Sequence, residues 1–222
     1  MAVNGQAYKE IIEELGKGVQ LVAVSKTKPI EEVLELYDLG QRDFGENYVQ
    51  ELVEKAAALP KDIRWHFIGH LQTNKVKLIA PFVQLIQGID SLKLLKEVDK
   101  HAAKAGRVIN CLLQVHIAQE ESKFGLDEKE LQEVVDSMAD LPHVRILGLM
   151  GMASFSDKMD LVRAEFRNLK RLFDQYAQLP TINHQLHVLS MGMSSDYKIA
   201  IEEGSNMVRV GSLLFGERNK KG

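Results

Sequence analysis

Leu21-Val22-Ala23-Val24-Ser25-Lys26-Thr27-Lys28-Pro29 is a short apolar run that ends at a lysine and breaks at a proline. It reads as a strand running into a turn. Pro29 then opens a helix, because its missing N–H costs nothing in a first turn. Ile30, Val33, Leu34 and Tyr37 share one face of that helix, and Gly40 closes it.

The same strand-then-helix unit repeats outward along the chain. Asp43-Phe44-Gly45 precedes a helix striped by Val49, Leu52, Val53 and Ala56. The run from Arg64 to Ile68 precedes a short helix from Asn74 to Ile79. Phe82 to Ile89 reads as a fourth strand before a helix near Ser91 to Ala103, and Arg107 to Ile117 as a fifth. Asp127 with Glu130 makes a capping box ahead of Leu131, Val134, Val135 and Met138. Val144 to Met150 is a sixth strand. The longest helix follows, with Val162, Phe166, Leu169, Phe173 and Tyr176 at helical spacing. Leu186 to Leu189 is a seventh strand, followed by a helix from Ser195 to Glu203 and a Gly204 stop. Met207 to Val210 is an eighth. Before all of these, Tyr8 to Leu15 reads as a polar-faced helix.

Alternating strands and helices mean parallel strands joined by crossovers, and eight of them predict a single α/β domain over residues 1–222, a (β/α)8 barrel. An open doubly wound sheet is the second architecture, weakened because no G-x-G-x-x-G follows the first strand. At 222 residues the barrel is near the lower size limit and has no room for a second domain.

Composition narrows the function classes. Lys plus Arg total 28 and Asp plus Glu 31, a net charge of −3, so the excess of basic residues that non-specific nucleic-acid binding needs is missing. Cys111 is the lone cysteine, which excludes an intramolecular disulfide and a multi-thiolate metal site. No apolar run reaches the ~18 residues of a membrane span. Met1 to Gly18 carries no apolar core of a secretory signal, so a cytoplasmic protein is expected, although a mature form with a targeting segment removed would read the same. The tail Arg218-Asn219-Lys220-Lys221 reads as a solvated end.

A barrel of this type works at the C-terminal ends of its strands, which filters the candidates independently of motifs. Lys26 closes the first strand on the side of Val22 and Val24, at the mouth of an apolar tube. Partial desolvation there favours the neutral amine, which can attack a carbonyl and form a Schiff base. The alternative is a strand-end lysine that snorkels to solvent. Lys28 lies in the loop and is the lesser candidate. Ser190-Met191-Gly192-Met193-Ser194-Ser195 joins strand seven to a helix; a glycine there allows a ligand to approach the backbone, and hydroxyls and free N–H groups suit an anion. Taken alone, a plain helix cap by Ser194 or Ser195 explains it better. Gly211-Ser212 follows strand eight, and loops seven and eight of such barrels often hold a phosphate. Arg209 points into the barrel beside Met207 and Gly211, and needs either a carboxylate or a ring acceptor on a ligand. His66 reads as a hydrogen-bonded core residue. His184 and His187 have no paired-ligand context, so no metal is expected. Leu149, Met150 and Met152 read as barrel packing. At this level a Schiff-base aldolase acting on a sugar phosphate remains open beside a cofactor-dependent protein.

Three further stretches join the opening one in a recognisable order: Phe44-Gly45-Glu46-Asn47-Tyr48-Val49-Gln50-Glu51, Trp65-His66-Phe67-Ile68-Gly69-His70-Leu71-Gln72-Thr73-Asn74-Lys75 and Gly148-Leu149-Met150-Gly151-Met152. Leu189-Ser190-Met191-Gly192-Met193-Ser194-Ser195-Asp196 and Met207-Val208-Arg209-Val210-Gly211-Ser212 complete the set. With them the sequence resembles the pyridoxal phosphate homeostasis protein family. The resemblance implies a barrel like the cofactor domain of alanine racemases, without the second domain. It implies that Lys26 holds pyridoxal 5′-phosphate as a Schiff base, that Ser194, Gly211 and Ser212 hold its phosphate, that Arg209 faces its pyridine nitrogen, and that Asn47 lies near it. Departures are small: His70 and Ser212 stand where members vary, and Ser212 keeps the hydroxyl. Beside an arginine the ring nitrogen stays unprotonated and the electron sink weak. The racemases add a second acid–base residue from their extra domain, which a chain of this length is not expected to supply in cis. The resemblance therefore implies a monomeric, non-catalytic carrier that supplies the cofactor to apo-enzymes and indirectly affects amino-acid and keto-acid balance. A weak cofactor-dependent racemase is the alternative, and the aldolase a more distant one.

Overall fold

The computed structural model describes residues 3–118, 124–178 and 184–216. The tail Arg218-Asn219-Lys220-Lys221 lies outside them. Eight parallel strands close into a barrel in the order β1 to β8, with β8 returning to pair with β1. The strands are β1 (Gln20–Val24), β2 (Asp43–Glu46), β3 (Arg64–Phe67), β4 (Leu85–Ile89), β5 (Ile109–Gln114), β6 (Val144–Met150), β7 (His184–Met193) and β8 (Met207–Val210). Helices α1 (Gly5–Leu15), α2 (Ile30–Asp38), α3 (Val49–Ala58), α4 (Val76–Ile79), α5 (Leu92–Lys104), α6 (Glu128–Asp136), α7 (Met159–Ala177), α8 (Tyr197–Glu202) and α9 (Ser212–Phe215) surround it. The expected (β/α)8 architecture is therefore the one observed. No described helix is long and apolar enough to cross a membrane.

Strand alternation divides the core in two. Residues such as Ala23, Phe44, Phe67 and Ile86 face outward and pack under the helices in one large cluster. Val22, Leu85, Leu112, Met150 and Met207 point inward and form a small apolar plug, joined by Leu147, Val188 and Met152. The inner layer is thin, so several polar side chains share the interior with it: His66, Gln87, Ser190 and Arg209 are all buried.

Several boundaries and one element differ from expectation. Strand β4 begins at Leu85, because Phe82 and Val83 close α4 through N–H bonds to the Ile79 carbonyl. Strand β5 spans only Ile109–Gln114, because the Arg107 guanidinium instead donates to the carbonyls of Ala80 and Val83. Strand β7 continues to Met193, through residues whose Ser and Gly content reads as loop. Ser190 pairs with Met207, and Met193 with Arg209. Finally, α9 is a short helix after β8 that the sequence reading omits.

Candidate functional site

A cavity of about 500 Å³ opens at the C-terminal mouth of the barrel. All six residues singled out from the sequence, Lys26, Asn47, Ser194, Arg209, Gly211 and Ser212, line it. They come from the ends of β1, β2, β7 and β8, which closure of the barrel brings together. Val24 lines the cavity while Val22 lies in the plug below, so Lys26 sits on the inner side that alternation predicts.

The turn that carries Lys26 is built with care. The Lys28 N–H donates to the Ser25 carbonyl at 3.1 Å and closes it. Thr27 has φ 62°, a left-handed conformation that is strained for a β-branched residue. Its N–H donates to Glu51 at 2.8 Å. Below it, Lys55 Nζ donates to the Ser25 carbonyl at 2.8 Å, to Glu46 at 2.7 Å and to Glu51 at 3.2 Å. The Ser25 hydroxyl donates to Glu46 at 2.7 Å. Burial pushes the Glu46 carboxyl up, and the Lys55 ammonium opposes that rise. Sequence reading missed Glu46, Glu51 and Lys55 in this role. The available signal was a carboxylate closing β2 and a Glu–Lys pair one turn apart on α3.

The other walls follow the same logic. Asn47 is held at the mouth by close backbone contact: a Cβ on Gly69 would lie 2.4 Å from the Asn47 carbonyl oxygen. Asn47 Oδ1 is buried and has no hydrogen-bond partner among the described residues. Ser194 Oγ accepts from the Gly211 N–H at 3.2 Å, which ties loop seven to loop eight. Gly192 has a packing role that its position in the sequence does not announce. It has φ +95°, and a Cβ there would lie 2.6 Å from that of Ala200, so it exists to let α8 pack. Lys28 also lines the cavity, but its Nζ donates to the Phe215 carbonyl and lies 3.8 Å from Glu32.

Arg209 is 4% exposed. The expectation of a carboxylate or a ligand as its partner is incomplete: it donates to Ser190 Oγ at 2.6 Å and to the Gly151 carbonyl at 3.0 Å. Burial pushes its pKa down to about 10, partly offset by the charge of Asp196, so it stays a cation at neutral pH. His66 is a buried core residue as expected, bonded to Asp43 and Gln87. Among the described residues the charged ones lining the cavity are Lys26, Lys28 and Arg209. Ile68, Met152, Met193, Phe155 and Leu213 complete an apolar wall that sequence reading did not assign; Met152 had been expected to be packing alone. Among the described residues no His, Cys, Asp and Glu cluster is arranged to hold a metal. The arrangement suits a flat, partly apolar anion with an electrophilic carbonyl.

A (β/α)8 barrel with a lysine in the turn after its first strand defines a class, and residues 3–219 match the family model described as alanine racemase, N-terminal domain. Within that class the chain belongs to the pyridoxal phosphate homeostasis protein family. It is 42% identical over 217 residues to the pyridoxal phosphate homeostasis protein of Aquifex aeolicus, covering 96% of this chain and 94% of that one. With the Homo sapiens protein of the same name it shares 42% over 211 residues, covering 90% and 77%. The structure of PipY from Synechococcus elongatus with pyridoxal phosphate bound superposes with a TM-score of 0.88 at 35% identity, over 96% of this chain and 99% of that one. Alanine racemase from Bartonella henselae, at 18% identity and a TM-score of 0.72 over 96% of this chain and 59% of that one, shares the fold.

Proposed function

We propose that the protein binds pyridoxal 5′-phosphate at the C-terminal mouth and acts as a cytoplasmic, monomeric carrier that supplies it to apo-enzymes. The observation that carries this reading is the lining of one cavity by Lys26, Lys28 and Arg209 together with the hydroxyls of Ser194, Ser195 and Ser212. Asn47 Oδ1, buried without a partner, offers an acceptor that a hydroxyl on the ring can satisfy. The family's name and the bound cofactor of PipY support the same assignment.

In this reading Lys26 Nζ adds to the aldehyde carbon, a C=N bond forms and water leaves. Ser194, Ser212 and the backbone at Gly211 receive the phosphate, and their hydroxyls donate to its oxygens. Arg209 directs an N–H at the ring nitrogen. Bound pyridoxal phosphate serves as an electron sink, and does so best with that nitrogen protonated. A guanidinium only donates hydrogen bonds, so Arg209 holds the nitrogen unprotonated. That favours retention over turnover.

The test is transfer. Protein loaded with the cofactor, separated from free cofactor and mixed with an apo-form of a pyridoxal-phosphate enzyme, is expected to restore that enzyme's activity. The loaded protein alone should turn over none of a panel of amino acids in a chiral assay. Measurable racemisation would replace the carrier with a weak enzyme. Failure to take up the cofactor would bring a cofactor-free aldolase forward.

A further inference from the structure

The interior of the barrel below Arg209 holds an unbroken series of hydrogen bonds. Arg209 Nη1 donates to Ser190 Oγ at 2.6 Å, and Ser190 Oγ to Gln87 Oε1 at 2.7 Å. Gln87 Nε2 lies 3.0 Å from His66 Nδ1, and His66 Nε2 lies 3.1 Å from Asp43 Oδ1. Asp43 in turn accepts from Arg64 Nε at 2.8 Å and Nη2 at 2.5 Å. The five residues from Arg209 to Asp43 sit on β8, β7, β4, β3 and β2, and each is at most 6% exposed.

We propose that Ser190, Gln87 and His66 are positioning residues for Arg209, joined in a one-way relay that runs through the barrel to Asp43 at the opposite mouth. The inference rests on Arg209 being the group that meets the cofactor ring.

The direction of the relay is fixed by chemistry at three points. A guanidinium can only donate and a carboxylate can only accept, which sets both ends. In the middle, Gln87 Nε2 also lies 3.3 Å from Met207 Sδ. A thioether is a weak acceptor and never a donor, so Met207 and His66 together hold the nitrogen end of the amide toward them. Ser190, already accepting from Arg209, turns its own proton to Gln87 Oε1. His66 must then carry a lone pair on Nδ1 and a proton on Nε2.

Each member thus shows its negative end to Arg209 and its positive end to Asp43. Aligned in this way, the dipoles reinforce one another in a low-dielectric interior. They solvate a buried cation without a carboxylate touching it. A carboxylate in direct contact would engage the guanidinium fork two N–H groups at a time. The relay takes one N–H, Gly151 takes another, and the rest of the five-donor fork is left for the cavity.

The experiment combines nitrogen-15 NMR of the cofactor-free protein with equilibrium binding of pyridoxal phosphate. In the wild type, His66 should show a protonated Nε2 and an unprotonated Nδ1. Gln87→Met keeps the volume but removes both links. It should shift the Arg209 guanidinium resonances, weaken pyridoxal phosphate about tenfold and move the absorption maximum of the bound cofactor. Ser190→Ala, which deletes one hydroxyl, should do the same to a smaller extent and serves if Gln87→Met does not fold. A purely structural role would lower unfolding stability and leave affinity and spectrum alone. An Nδ1–H tautomer in the wild type, or unchanged affinity and spectrum in a folded variant, overturns the relay. If the wild type takes up no pyridoxal phosphate, the carrier reading fails separately. The relay is then decided by the Arg209 resonances, whose shift in the variants supports it and whose constancy overturns it.

Discussion

The two mouths of the barrel carry similar polar chemistry and treat it in opposite ways. At the N-terminal mouth a cavity of about 370 Å³ is lined by Lys17, Asp43, Arg64, His66, Asn110 and Asn206, among others. Its ion pair and one of its amides are engaged within the protein. Arg64 grips Asp43 through two N–H groups, and Asn206 accepts from the Leu189 N–H at 2.8 Å and donates to the His187 carbonyl at 2.6 Å. At the C-terminal mouth, of about 500 Å³, three cations line the cavity and the buried Asn47 Oδ1 has no partner among the described residues. Size does not distinguish the two. What distinguishes them is that the Asp43–Arg64 pair closes on itself at one end, while the other keeps a buried acceptor, Asn47 Oδ1, that a ligand can use.

The comparison breaks first at the phosphate. The double variant Ser194→Ala/Ser212→Ala is expected to weaken pyridoxal phosphate by about 10- to 100-fold, by loss of two charge-assisted hydrogen bonds. It should leave pyridoxal, which has no phosphate, unchanged in the same spectroscopic titration. Equal losses for both ligands would remove the phosphate from these loops.

The smaller effect lies at the other mouth. Arg64→Ala should cost about 1 kcal/mol of stability, because its guanidinium is half-exposed, and change cofactor affinity less than about twofold. It also has a pH signature. Burial pushes the Asp43 carboxyl up, but Arg64 and His66 outweigh burial and hold it well below the usual carboxylate range. A depressed carboxylate stabilises the fold fully above its unfolded pKa of about 4 and loses that contribution as pH falls through the folded value. Without Arg64 the folded value rises, so urea unfolding measured against pH should show acid destabilisation starting at higher pH. A large loss of cofactor affinity would make the N-terminal mouth part of the site.

Much of this is legible in the sequence alone. Val144–Met150 and Met207–Val210 are legible to the residue, because each is a short run dominated by β-branched and apolar residues and followed by Gly. The side of β1 on which Lys26 lies followed from alternation with Val22 and Val24. Ser190 to Met193 misled for a physical reason. Ser and Gly there read as loop, yet the serine faces a buried arginine and the glycine admits a helix, so both serve a strand. Gln87 carries no local signal, and the Glu51–Lys55 spacing that marks Lys55 signals only a helix-surface pair. Their roles exist only because closure brings β4 to β7, and α3 under the β1 turn.

The most direct test of the account is to reduce the cofactor-loaded protein with borohydride and map the modified peptide by mass spectrometry. The account predicts that a visible absorption band disappears on reduction and that the pyridoxal phosphate adduct lies on Lys26. An adduct on another lysine such as Lys28, or no adduct on a protein saturated with the cofactor, would contradict it.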